Sequence, residues 1–221
     1  EGYDGRGRIS AEDETDTPDL RSLLLPAALC ADSRIRDGEL IGDPTEGALL
    51  AMAAKGGIDA ESLAEQFPRI AEIPFDSAHK FMATFHHDGD VVRMWLKGAP
   101  DVLLVRATQW ITNDGEQPLD EAARIAFIET NAAFANDELR VLALAGRTIP
   151  ADEFDPAGDL MVWANGLTLI GLVGLIDPPR SEVRAAIATC HNAGISVRMI
   201  TGDHRSTAAA IARDLGLEGA V

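Results

Sequence analysis

The run Ile73-Pro74-Phe75-Asp76-Ser77-Ala78-His79-Lys80-Phe81-Met82-Ala83-Thr84 decides how this chain is read. Two stretches that favour a pleated, half-buried surface flank the polar interruption Asp76-Ser77-Ala78, so the run is two strand ends joined by a short turn. Such a turn holds an aromatic ring beside a cation. Phe75 offers a flat face on which a planar base stacks, and Lys80 offers a positive charge for a phosphate or ribose oxygen. The same residues also suit an ordinary core hairpin with a solvated lysine, and the stretch alone leaves both readings open.

Upstream, Glu39-Leu40-Ile41 is a short strand and Asp43-Pro44-Thr45-Glu46-Gly47-Ala48-Leu49 opens a helix, with Asp43 as N-cap, Pro44 at the first helical position and Glu46 at the third. Capping alone accounts for these residues. The functional alternative keeps the helix and turns Glu46 toward a ligand as a hydrogen-bond acceptor, for instance for an adenine amino group. Before this lie an apolar helical segment, Leu20 to Ala31, interrupted by Pro26, and a polar link from Asp32 to Gly38. Glu61 to Glu65 is a short helix.

Downstream, Asp88-Gly89-Asp90 turns the chain into the alternating strand Val91 to Lys97. Gly98 then lets the backbone pass close to a ligand, and Pro100 opens a helix from Asp101 to Ala107. Lys97 is either a solvated corner residue or a pocket cation. Leu119 to Ala135 is an amphipathic helix with Asp120 and Glu121 in its first turn, followed by the strand Leu139 to Arg147. Arg140 in that strand is either a snorkelling edge residue or a fork for phosphate. Pro150 to Asp159 is a loop, and Leu167 to Ile176 is one long central strand. After the stiff elbow Asp177-Pro178-Pro179-Arg180 the pattern becomes helix Ser181 to Ala193, buried strand Ile195 to Ile200, loop Thr201-Gly202-Asp203 and helix Arg205 to Leu215. That order follows the grammar of a doubly wound sheet.

The 221 residues suffice for one large or two smaller domains, and 46% hydrophobic residues can build their cores. A net charge of −17 excludes general nucleic-acid binding, which needs a broad basic field. An anionic ligand therefore needs a local exception, and two of the three lysines, Lys80 and Lys97, stand at the turns singled out above, the third being Lys55. Cys30 and Cys190 match no metal-ligand spacing, so neither a disulfide framework nor a zinc site is expected, and a reducing compartment fits. No apolar run is long enough to span a membrane, and no signal peptide is evident.

In order, Gly42-Asp43-Pro44-Thr45-Glu46-Gly47-Ala48-Leu49, Phe75-Asp76-Ser77-Ala78-His79-Lys80, Lys97-Gly98-Ala99-Pro100, Leu139-Arg140-Val141-Leu142-Ala143, Asp177-Pro178-Pro179-Arg180 and Thr201-Gly202-Asp203 resemble the cytoplasmic part of P-type cation-transporting ATPases. The Lys-Gly-Ala-Pro element and the Asp-Pro-Thr-Glu form resemble the branch that moves calcium, sodium, potassium or protons. The resemblance implies an α/β chain in three parts. Residues 1–22 are a loose lead-in, and residues 23–176 are a nucleotide-binding domain whose antiparallel sheet is flanked by helices. Residues 177–221 are part of a doubly wound, haloacid-dehalogenase-like phosphorylation domain.

By that carry-over Phe75 stacks on adenine, Glu46 meets the adenine edge, Lys80, Lys97 and Gly98 line the pocket, and Arg140 reaches the phosphates. Thr201, Gly202 and Asp203 approach the terminal phosphate, with Asp177 and Arg180 at the interdomain hinge. ATP is the implied ligand, with magnesium in the parent protein. The phosphorylated-aspartate segment, the magnesium segment and the membrane helices of the family are missing from the sequence. The expectation is thus a fragment lying at the cytoplasmic face of a membrane-embedded pump, which binds ATP without turnover and whose partners are the pump's other domains. Two alternatives from other classes are a haloacid-dehalogenase-type phosphatase using Asp43 as nucleophile and a non-catalytic interaction module.

Overall fold

Chain reversals fall where the backbone can adopt a left-handed turn. Asp37 at φ 53° and Gly38 at φ 82° close a hairpin between β1 (Arg34–Arg36) and β2 (Glu39–Ile41). Gly89, at φ 63°, does the same between β4 (Phe81–Asp88) and β5 (Val91–Gly98). The computed structural model describes residues 7, 9–10, 20–137, 139–176, 181–200, 212–213 and 215–217.

Its main sheet has seven strands in the order β3-β4-β5-β8-β9-β6-β7, with β3 (Arg69–Asp76), β6 (Ala107–Thr112), β7 (Gly115–Pro118), β8 (Arg140–Pro150) and β9 (Leu167–Leu175). Every neighbouring pair is antiparallel except β6 and β9. The expected antiparallel sheet flanked by helices is therefore present. Both edges are guarded against pairing with another chain: β3 carries Pro74 among charged residues, and β7 is a short exposed strand ending on Pro118.

Alternate residues of β5 divide the core between two faces. Val92, Met94 and Leu96 join Phe81, Phe85, Leu103 and Leu167 in the larger cluster, covered by α4 (Pro100–Arg106) and α5 (Glu121–Asn136). Trp95 packs instead against Ala28, Leu29, Ala53 and Leu63, from α1 (Arg21–Leu29), α2 (Pro44–Lys55) and α3 (Ala60–Gln66). Lys97 follows Trp95 on that second face, where alternation would otherwise put an apolar side chain.

Two expectations are corrected here. Asp32 to Gly38 is not merely a polar link, because it contains β1. Ile195 to Ile200 forms no strand; Ile195 is 57% exposed and Ile200 97% exposed. Among the described residues no strand pairs with this segment, so no ladder satisfies its backbone there. α6 (Ser181–Asn192) forms as expected. Asp177, Arg180, Thr201, Gly202, Asp203 and most of the last expected helix lie outside the described residues. Among the described residues, no helix is long and apolar enough to cross a membrane.

His86 links the second face to acid stability. Its Nδ1–H donates to the Phe67 carbonyl at 2.8 Å, and its Nε2 is buried without a partner among the described residues. Burial, helped by the Arg69 charge, outweighs that hydrogen bond and lowers its pKa from 6.5 to about 4. The unfolded chain therefore takes up this proton at a higher pH than the folded one. The neutral-His86 contribution is complete above pH 6.5 and is lost as the pH falls toward 4, by up to about 3 kcal/mol. Urea unfolding at pH 7 and pH 4.5 should show this loss, and the pH difference should shrink in His86→Leu.

Candidate functional site

The register brings the separated motifs to one end of the sheet. Asp76 pairs with Phe81, Phe81 with Gly98, Gly98 with Ala143, and Ala143 with Leu172, a single row running across five strands. Phe75 precedes the first of these residues, Lys80 the second and Lys97 the third. Arg140 lies three residues beyond the row on β8, opposite Leu175. Strand spacing alone separates the Phe75 and Arg140 backbones by on the order of 15 to 20 Å, so one ligand reaches both only when extended.

The turn from Asp76 to Lys80 is closed locally. Asp76 Oδ1 accepts from the Ala78 N–H at 2.7 Å, and the Asp76 carbonyl accepts from the Lys80 N–H at 2.7 Å. Phe75 is 66% exposed, an unusual setting for a phenylalanine at the end of a core strand. Lys80 is exposed and has a left-handed backbone at φ 56°, a conformation that glycine or asparagine adopts more readily. Lys80→Gly is accordingly expected to raise stability by about 1 kcal/mol in urea unfolding while removing the cation. A lower unfolding midpoint would contradict the strain.

Gly98 sets how closely β5 approaches this turn. A Cβ there would stand 2.5 Å from Phe81 Cβ and 2.7 Å from the Lys80 carbonyl, which is the acceptor for the Ala99 N–H at 3.0 Å. Only glycine lets the two strand ends meet without displacing Lys80.

Beside the row lies a buried ion pair. Glu46 and Lys97 are each 8% exposed, and Lys97 Nζ donates to Glu46 Oε1 and, at 2.5 Å, to the Cys30 carbonyl. Glu46 Oε2 accepts from the Asp32 N–H at 3.0 Å, the Ser33 N–H at 2.7 Å and the Ser33 hydroxyl at 2.5 Å. Burial alone would raise the Glu46 pKa, but the hydrogen bonds from Lys97 and Ser33 prevail and hold it below the ordinary carboxylate value. Lys97 is thus a buried cation and not a solvated corner residue. Both oxygens of Glu46 are therefore engaged, Oε1 by Lys97 and Oε2 by Asp32 and Ser33.

Sequence reasoning missed Cys30, Asp32 and Ser33 as partners in this pair, since all three act through backbone atoms, Ser33 also through its hydroxyl, and no spacing rule joins them to residues 46 and 97. Arg69 fixes their loop by donating to the Leu29 and Ala31 carbonyls at 3.3 and 2.5 Å and to Asp32 Oδ1 at 2.6 Å. His79 was likewise not singled out.

Asp43 is placed as a helix cap. Its Oδ1 accepts from the Thr45 and Glu46 N–H groups at 2.8 and 3.3 Å, at the start of α2. The preceding β2 belongs to a two-stranded antiparallel sheet, where a phosphatase nucleophile would need a long buried strand. Among the described residues no group of three or more His, Cys, Asp or Glu side chains could hold a metal ion.

Two clefts lie away from Phe75 and Lys80, the first touching the row only at its far end, Leu172. One, of about 230 Å³, is lined by Leu20, Leu23, Thr112 and Ile170; the other, of about 130 Å³, by Arg93, Trp95, Thr148 and Thr168. Arg93 is engaged with Asp88 and Thr148. Phe75 and Lys80, an exposed aromatic ring and an exposed lysine, stand together at the row, which makes it the stronger candidate for an anionic, planar ligand.

Comparison with known proteins agrees on parentage. The family described as P-type ATPase, cytoplasmic domain N, matches residues 19–182. The cation-transporting ATPase pma1 of Synechocystis sp. is 44% identical over 205 residues, covering 90% of this chain and 22% of that protein. A calcium-transporting ATPase of Listeria monocytogenes is 42% identical over 198 residues, with 89% and 22% covered. The calcium-transporting ATPase of Bacillus subtilis is 43% identical over 228 residues, with 98% and 25% covered. The chain spans about a quarter or less of the length of these relatives. It belongs to the P-type ATPases, and its residues 19–182 are the part described as their cytoplasmic domain N.

Proposed function

We propose that this chain is the ATP-binding segment of a pump that couples ATP hydrolysis to cation movement across a membrane, and that the segment alone binds ATP without turning it over. The observation that carries the binding claim is the row across five strands, which gathers Phe75, Lys80 and Gly98 at one sheet end beside the buried Lys97. In this reading the adenine stacks on Phe75, and its edge meets Glu46. The exposed Lys80 supplies local positive charge in a strongly acidic chain, Lys97 lines the pocket while paired to Glu46, and the phosphates extend toward Arg140. The names of the relatives support a pump for calcium or a similar small cation. The segment would lie on the cytoplasmic face, with the remaining domains of the pump as partners.

In this reading the nucleophile and the magnesium site needed for turnover belong to other parts of the pump. Phosphoryl transfer requires an in-line nucleophile and magnesium bridging the phosphates, which shields their charge. Thr201, Gly202 and Asp203 are proposed as one wall of that phosphate site, with Asp177 and Arg180 at its hinge. Incubating the chain with magnesium and ATP labelled in the terminal phosphate is expected to give bound nucleotide, no released phosphate and no labelled protein. Labelling that disappears in Asp43→Asn would instead support the phosphatase reading. Absence of nucleotide binding would support the interaction-module reading. A charge test complements it: Lys80→Ala should weaken ATP more than adenosine, and Lys55→Ala should change neither.

A further inference from the structure

We propose that His79 is a positioning residue for Phe75, a role that rests on the adenine-stacking reading above. The pairing of β3 with β4 slips beside the site: Ile73 lies opposite Ala83 but Asp76 lies opposite Phe81, so three steps on one strand match two on the other. Pro74 and Phe75 occupy this bulge. Bulges interrupt the ladder and re-aim side chains, and this one carries the exposed ring.

His79 reaches back to the bulge. Its Nε2 is 3.2 Å from the Pro74 carbonyl, and because a carbonyl only accepts, Nε2 carries the hydrogen. The other side of the imidazole is anchored against Phe81, with ring centroids 4.6 Å apart and planes inclined by 56°. Phe81 is fully buried. The imidazole is therefore a strut from the core to the carbonyl immediately before Phe75. The bonds from Ala78 and Lys80 to Asp76 close the turn, whereas the His79 bond reaches the bulge itself.

A strut acting through a stacked ring affects every ligand that shares the base. His79→Ala should weaken adenosine and ATP by the same factor, about 2- to 10-fold, in NMR titrations of the 221-residue chain. Glutamine carries its amide nitrogen about as far from the backbone as Nε2, so His79→Gln should recover most of the loss. His79→Asn, which is shorter, should not. In a Phe75→Ala background, His79→Ala should have no further effect.

Unchanged affinity in His79→Ala would overturn the proposal, as would a loss confined to ATP or an undiminished loss without Phe75. One readout is independent of ligand: the backbone heteronuclear NOE at Phe75 should fall in His79→Ala and recover in His79→Gln. Equal values in all three proteins would defeat the strut even if nucleotide binds. A reduced NOE in a chain that binds neither adenosine nor ATP would defeat the stacking reading while leaving the mechanical link.

Discussion

Lys97→Met is expected to cost about 3 to 5 kcal/mol of stability, because it leaves the Glu46 carboxylate buried without its cation. The side chains of the pair are only 10% and 11% exposed, so water cannot replace the lost partner as it would at a surface. Urea unfolding should show the full loss in the single variant and a partial recovery when Glu46→Gln is added, since a neutral amide is cheaper to bury than an unpaired carboxylate. A single variant within about 0.5 kcal/mol of the parent would mean that the pair is solvated and the packing of α2 on β5 is looser than described.

Phe75→Ala separates binding from folding in the opposite way. A ring that is 66% exposed contributes little to the core, so unfolding should move by no more than about 0.5 kcal/mol. Loss of a stacked aromatic costs about 1 to 3 kcal/mol of binding, so ATP affinity should fall roughly 5- to 150-fold. Equal affinity in parent and variant would place the base elsewhere.

Local chemistry made much of the fold legible in the sequence. Asp43, Pro44 and Glu46 announce the start of α2, and the observed Asp43 cap bonds follow that pattern. The polar interruption after Phe75 and the alternation from Val91 to Lys97 likewise mark β3, β4 and β5. The strands β6 and β7 were not anticipated. Ala107 to Thr112 mixes polar and apolar residues, and its parallel partner β9 lies about sixty residues later, beyond the reach of any local pattern. The Asn113-Asp114-Gly115 turn was the available signal, just as Asp37-Gly38 was for β1.

For the site, residue type identified the candidates but not their setting. By residue type Lys97 suits either a solvated corner or a pocket lining, and its burial depends on Glu46, 51 residues away, and on the Cys30 carbonyl. A carbonyl carries no sequence signature. His79 shows the same limit at short range, since its bond to Pro74 matters only because the strands slip by one residue, a slip the alternation of Ile73 to Thr84 does not announce.

The most direct test of the nucleotide site is a ¹H–¹⁵N NMR titration of the 221-residue chain with ATP. The account predicts saturable shifts centred on Phe75 to Lys80 and on Lys97 to Ala99, with the Asn113–Gly115 turn unaffected. No saturable shifts, or shifts centred on the cleft formed by Arg93, Trp95, Thr148 and Thr168, would contradict it.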